Sequence, residues 1–144
     1  MNSKKKKSRV LLDTSVWIVY FRDPSTPIKE AVRHLVNAGQ ATIAGPVVFE
    51  VLQGTRSPQE FEEIRRLLEG LPYLTSPEMI WVAAAGMAAG LRRRGLTIPG
   101  TDCLVATLAR ENDCKIWSLD AHFESIPGVR LYRPPRPRPR RPSA

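Results

Sequence analysis

The sequence predicts an α/β domain: a mainly parallel central sheet of four to five strands, flanked by helices on both faces. Three observations carry that expectation. Short apolar runs recur at residues 9–12, 41–44 and 115–119. Segments with apolar residues three and four apart separate them. Two of the runs end in an aspartate, Asp13 and Asp120, just ahead of a helix start. Strands alternating with helices form βαβ units, whose parallel strands are buried on both sides.

Taken in order, Arg9-Val-Leu-Leu-Asp13 reads as a strand, and Thr14 and Ser15 can cap a helix starting near Val16. Between 27 and 38, Ile28, Ala31, Val32, Leu35 and Val36 share one helical face, which Gly39 terminates. Ala41-Thr-Ile-Ala44 is a second strand. Pro46 suits the first turn of the next helix, where Val47, Val48, Val51 and Leu52 form an apolar stripe beside Glu50 and Gly54 marks the end. Ser57-Pro58 opens an amphipathic helix through Phe61, Ile64, Leu67 and Leu68 to Gly70. Tyr73-Leu-Thr75 is a short strand, and Ser76-Pro77 begins an Ala-rich helix through Met79, Val82, Ala83, Met87 and Leu91 to Gly95. After the loop 96–100, Thr101 caps a helix that starts at Asp102 and continues through Leu104, Val105, Leu108 and Ala109. Residues 115–119 form a strand ending in Asp120, a helical turn holds His122 and Phe123, and 129–132 make a last edge strand. The domain therefore spans 9–132, with a basic leader at 1–8 and a Pro/Arg-rich tail at 133–144, whose composition cannot pack a core.

A chain of 144 residues holds one such domain, and no apolar run approaches the roughly 18 residues of a membrane span. The apolar stretch behind the basic start is short and broken by Asp13 and Arg22, so no secretory signal is expected and the default location is cytoplasmic. Cys103 and Cys114 form no CxxC pair and read as buried thiols, not zinc ligands. The net charge of +8 suggests nucleic acid, but ten of the 22 basic residues sit in the two ends. The body keeps twelve against all 14 acids and is about −2. The ends can add affinity for phosphates without sequence preference, or simply add solubility.

Open α/β sheets place function where strand ends meet helix starts. Asp13 and Asp120 fall there, and Glu50 and Asp102 lie in helices just beyond a strand or loop. Acids at such positions also cap helices, which is the plain alternative for Asp13, Asp102 and Asp120. Glu50 is harder to dismiss, because a carboxylate among Val47, Val48, Phe49, Val51 and Leu52 is costly unless paired, protonated or bound to a cation. Crowded carboxylates suit a hard divalent ion such as Mg²⁺, which retains waters and leaves coordination positions for phosphate oxygens.

Four segments carry a family resemblance: Leu12-Asp13-Thr14-Ser15-Val16, Val48-Phe49-Glu50-Val51, Thr101-Asp102-Cys103-Leu104-Val105-Ala106 and Ser118-Leu119-Asp120-Ala121-His122-Phe123. In this order and spacing the chain, from 9 to about 132, resembles PIN-domain ribonucleases of the VapC toxin type. The resemblance implies a Mg²⁺-dependent endoribonuclease, with Mn²⁺ able to substitute, acting on tRNA or rRNA. Asp13 and Asp102 would be the principal ligands, Glu50 and Asp120 would complete the ring partly through water, and the Ser15 and Ser118 hydroxyls would hold carboxylates or water in place. It further implies a VapB-type antitoxin, a homodimer, and products with 5′-phosphate and 3′-hydroxyl ends from in-line attack of water. The leader and tail are not explained by it. A non-toxin nuclease in RNA processing and a silent RNA- or protein-binding module are the alternatives; a lost acid would mark the latter, and none is lost.

Other features read more plainly. His122 is expected at the rim of the site and His34 as structural, while Trp17, Trp81 and Trp117 lie in apolar runs and are expected in the core. Arg92, Arg93 and Arg94 end a helix, where the dipole favours cations, and could alternatively contact RNA backbone. A phosphotransferase using Asp13 as nucleophile lacks its helper acid, since Ser15 stands two residues on.

Overall fold

In the computed structural model, which describes residues 8–23, 27–136 and 142, four strands form one parallel sheet. They are β1 (Val10–Leu12), β2 (Ala41–Ala44), β3 (Tyr73–Leu74) and β4 (Lys115–Trp117), in the spatial order β3-β2-β1-β4. Val10 pairs with Ala41 on one side and Lys115 on the other, Leu12 pairs with Trp117, and Ile43 with Tyr73. Six helices connect and cover the strands: α1 (Thr14–Arg22), α2 (Pro27–Asn37), α3 (Gly45–Gln53), α4 (Pro58–Glu69), α5 (Glu78–Arg93) and α6 (Gly100–Glu111). Every residue of β1 and β2 is buried, which requires cover on both faces of the sheet. The expected α/β architecture is the one observed.

The core gathers Leu11, Leu12, Ile43 and Ile116 from the strands, Val16 and Trp17 from α1, and an unbroken buried run, Cys103–Ala109, from α6. Each large apolar side chain fully buried there contributes about 1.5–3 kcal/mol. The two cysteines are free, buried thiols, as expected.

Local chemistry sets the element ends. Ser57 caps α4 by accepting from the Glu60 N–H at 3.0 Å, with Pro58 behind it. The anticipated caps of α1 and α6 are not formed. The N-cap of α1 is Asp13, whose side chain makes no capping bond, and α6 begins at Gly100, two residues before Asp102, with Pro99 as cap. The edge strand expected at 129–132 is reduced to one parallel bridge between Ile116 and Leu131. Two hydrogen bonds hold it, Ile116 N–H to Arg130 O at 2.9 Å and Tyr132 N–H to Ile116 O at 2.7 Å. Gly128 at φ +81° before it and Pro134 after it leave no room for a longer ladder.

Of the three tryptophans, Trp17 and Trp117 are core residues, whereas Trp81 is 56% exposed. The α5 turn buries Ile80, Ala84 and Leu91, so Met79, Trp81 and Val82 in the same apolar run face outward. His34 also lies at the surface. The lysine run at 4–7 and most of the Pro/Arg tail lie outside the described residues. No described helix is long and apolar enough to cross a membrane.

Candidate metal centre

Asp13 directly follows β1, and its backbone N–H is pinned to Trp117 O at 2.9 Å, so the β1–β4 pairing fixes where its side chain starts. That side chain is 8% exposed and points to two hydroxyls. Ser118 Oγ donates to Asp13 Oδ2 at 2.9 Å and Ser15 Oγ donates to the same oxygen at 3.2 Å. A hydroxyl has one proton, so with both given to Asp13 the 3.3 Å Ser15–Ser118 contact is close approach without a further donor. Both serine oxygens also accept: Leu119 N–H donates to Ser15 Oγ and Asp120 N–H to Ser118 Oγ, each at 3.0 Å. The two serines thus tie the carboxylate after β1 to the loop after β4.

The second group sits at the rim. Asp102, in the first turn of α6, and Asp120, which caps the 3₁₀ turn Ala121–Ser125 by accepting from His122 N–H, converge on the His122 ring. Nδ1 of His122 lies 2.9 Å from Asp102 Oδ2 and 3.2 Å from Asp120 Oδ2. One donor atom from each of these three residues falls within 4.8 Å of the others. The hydrogen bond that the His122 ring donates to Asp102 raises the His122 pKa, desolvation opposes the rise, and the charges of Asp120, Asp102 and Asp13 add to it. Burial raises the pKa of Asp102, with Asp13 and Asp120 adding to it, while His122 pulls it back.

Glu50, half-buried on α3, links the two groups electrostatically. Burial lifts its pKa first, the charges of Asp13 and Asp102 lift it further, and the Thr14 and Thr101 hydroxyls oppose the rise. The neighbours Val47 and Val51 are buried, but Phe49 is exposed, so Glu50 lies at the edge of the apolar company that its sequence context suggests. The structure therefore brings Asp13, Glu50, Asp102 and Asp120 into one electrostatically coupled cluster, with Ser15 and Ser118 bonded to it. It does not bring Arg92, Arg93 and Arg94 there. They are exposed at the C-terminal end of α5, and Arg94 lines a groove with Arg110 and Glu111, at the opposite end of α6 from Asp102.

The donor set suits a hard divalent ion. It supplies carboxylate oxygens that repel one another and, among the described residues, a single imidazole as close counter-charge. The histidine bridge was not legible in advance, because Asp102 and His122 are 20 residues apart in sequence. The signal available was a histidine two residues after a candidate acid.

A parallel sheet with clustered acids beyond its strand ends is the architecture of a recognised family, and the profile of the PIN domain matches residues 10–129. The chain belongs to the PIN domain family, in its VapC branch. Ribonuclease VapC11 of Mycobacterium tuberculosis is 36% identical over 121 residues, covering 81% of this chain and 90% of the relative. Among solved structures, VapBC2 of Rickettsia felis, bound to a promoter DNA fragment, aligns with a TM-score of 0.74 at 17% identity, covering 85% of this chain and 96% of that one. DNA-bound VapBC of Salmonella typhimurium aligns at 0.72 and 19%, covering 88% and 98%.

Proposed function

We propose that this protein is a divalent-cation-dependent endoribonuclease, the toxic member of a toxin–antitoxin pair, acting on tRNA or rRNA. The observation that carries the reading is the convergence of four carboxylates from separate elements, two of them lifted in pKa by burial and by each other. Such a cluster is unfavourable for the fold alone and becomes favourable when a cation occupies it. The VapC relatives support the activity, and the VapBC complexes support a VapB-type antitoxin as partner.

Asp13 and Asp102 would hold Mg²⁺ directly, or Mn²⁺ in its place, with Glu50 and Asp120 partly through water. Bound there, the ion supplies Lewis acidity toward a phosphodiester and lowers the pKa of a coordinated water. The chain's own contribution is positional. Ser15 and Ser118 both donate to one oxygen of Asp13, which fixes the rotamer and directs the other carboxylate oxygen to a ligand. His122, when protonated, offsets charge on Asp102 and Asp120 and would compete with an ion for the carboxylate oxygens it contacts. An RNA that follows the α5/α6 surface away from the acids would reach Arg94 and Arg110. The products are expected to carry 5′-phosphate and 3′-hydroxyl ends, and the working unit to be a homodimer in the cytoplasm.

The test is cleavage of total cellular RNA by purified protein in Mg²⁺, beside an EDTA control and the Asp13→Ala, Asp102→Ala double variant. Discrete fragments lost in both controls are expected. No cleavage by folded, antitoxin-free protein would favour a binding module, and cleavage surviving in the double variant would move the active site elsewhere.

A further inference from the structure

The acidic cluster has an apolar neighbour that the nuclease reading leaves without a role. Between α5 and α6 lies a cleft of about 290 Å³ bounded by Trp81, Ala84, Ala88, Gly100, Thr101 and Leu104, with no charged side chain in its lining. Trp81 is 56% exposed, yet it is not loose: its indole N–H donates to Ser76 O at 3.0 Å, which fixes the ring relative to the start of α5. Alanines at 84, 85 and 88 keep the wall shallow beside it. Thr101 joins the cleft to the acids, since it lines the cleft, precedes Asp102 and carries the hydroxyl that favours ionised Glu50.

We propose that this cleft is a base subsite, in which Trp81 stacks against an RNA base next to the scissile phosphate. The proposal rests on the nuclease reading of the acids. An RNA strand presents an anionic phosphate and a flat apolar base at adjoining positions, and the structure sets a cation-type site and a flat apolar slot side by side, sharing the Thr101–Asp102 segment. Stacking of this kind tolerates any base, because every base has a π face. A ring already oriented by a hydrogen bond has less freedom to lose on binding than a mobile one. The positioning is also economical in mechanism, since holding the base fixes the phosphate over Asp13 and Asp102.

The experiment uses the full chain and a mixed-sequence single-stranded ten-residue oligoribonucleotide in Ca²⁺. Trp17 and Trp117 are buried, so quenching of tryptophan fluorescence by the oligonucleotide reports Trp81. Anisotropy of a labelled oligonucleotide gives the affinity of the variant Trp81→Leu, which keeps an apolar, helix-compatible side chain but no π face. The expected result is quenching in the wild type and affinity weakened by roughly 5- to 150-fold in the variant, with a matching rise in KM and little change in kcat in Mg²⁺. Should Trp81→Leu fail to fold, Trp81→Phe is expected to shift affinity in the same direction by less. Wild-type cleavage without quenching, or with unchanged affinity in the variants, would overturn the base subsite and leave the nuclease reading standing. Quenching and Trp81-dependent affinity without any cleavage would keep the subsite and remove the nuclease reading. If the variants turn a dimer into a monomer in sedimentation while oligonucleotide affinity is unchanged, the cleft belongs to a second copy of the chain and the proposal falls.

Discussion

Asp13 and Asp120 carry the same signal in the sequence, an acid following an apolar strand, and their strands β1 and β4 are direct neighbours in the sheet. Their environments nevertheless differ. Asp13 is almost wholly buried, with its backbone pinned by the strand pairing and one carboxylate oxygen held by two hydroxyls. The Asp120 side chain is 42% exposed, caps a turn, and shares His122 with Asp102. The difference arises from the two residues, Ser118 and Leu119, between the end of β4 and Asp120. Trp117 closes the strand, Ser118 turns inward to Asp13, and only then does Asp120 emerge at the rim. One half of the cluster is built into the sheet, and the other lies at the more exposed rim.

That contrast orders the expected effects. Asp13→Ala removes the acid with the least freedom to be replaced, and RNA cleavage should fall by more than roughly 100-fold, beyond what the outer partners of a metal ligand usually cost. Asp120→Ala, at the exposed rim, should cost less in the same assay, and the reverse order would break the comparison. Ser118→Ala should lower cation affinity or activity by roughly 10- to 100-fold, because its hydroxyl orients Asp13 and also accepts from the Asp120 N–H. A comparable loss in melting temperature without loss of activity would show that Ser118 serves only the fold.

The pKa directions give a subtler pair of outcomes. Glu50 and Asp102 have folded pKa values raised above their ordinary values of about 4.5 and 3.8. The stability these groups contribute is therefore complete below the ordinary values and is lost as pH rises through the raised ones. In EDTA, the melting temperature of the wild type relative to Glu50→Gln should fall as pH increases across that window, and Mg²⁺ should shrink the difference. His122, also raised, is protonated below its folded pKa and then competes with a cation for Asp102 and Asp120. His122→Ala should consequently bind Mn²⁺ at least as tightly as the wild type at pH 6, with the smallest change in activity of the set. A strong loss of activity at every pH would instead make His122 a catalytic residue.

Much of the fold was open to reading in the sequence because its signals are local. The apolar runs at 10–12 and 41–44 and the helical spacing of Val32 and Leu35 depend only on neighbouring residues. The four acids were nameable because strand-to-helix junctions are visible in one dimension. What the sequence concealed depends on contacts distant along the chain. The 129–132 segment has strand-like residues but finds only one bridge beside β4, and the helix at 100 starts without the Thr101 cap. Trp81 stands in an apolar run, yet helical rotation places Ile80 inside and Trp81 outside, so apolar company misled. The meeting of Asp102 with His122 follows from the packing of α6 against β4 and the 3₁₀ turn after it, which no spacing encodes.

The measurement that tests the central claim most directly is Mn²⁺ binding followed by electron paramagnetic resonance, on the wild type and on Asp13→Ala, Asp102→Ala protein shown to be folded. Saturable binding by the wild type, displaced by Mg²⁺ and lost in the double variant, is the expected result. Equal binding by the two proteins would contradict the assignment of these acids as a metal centre.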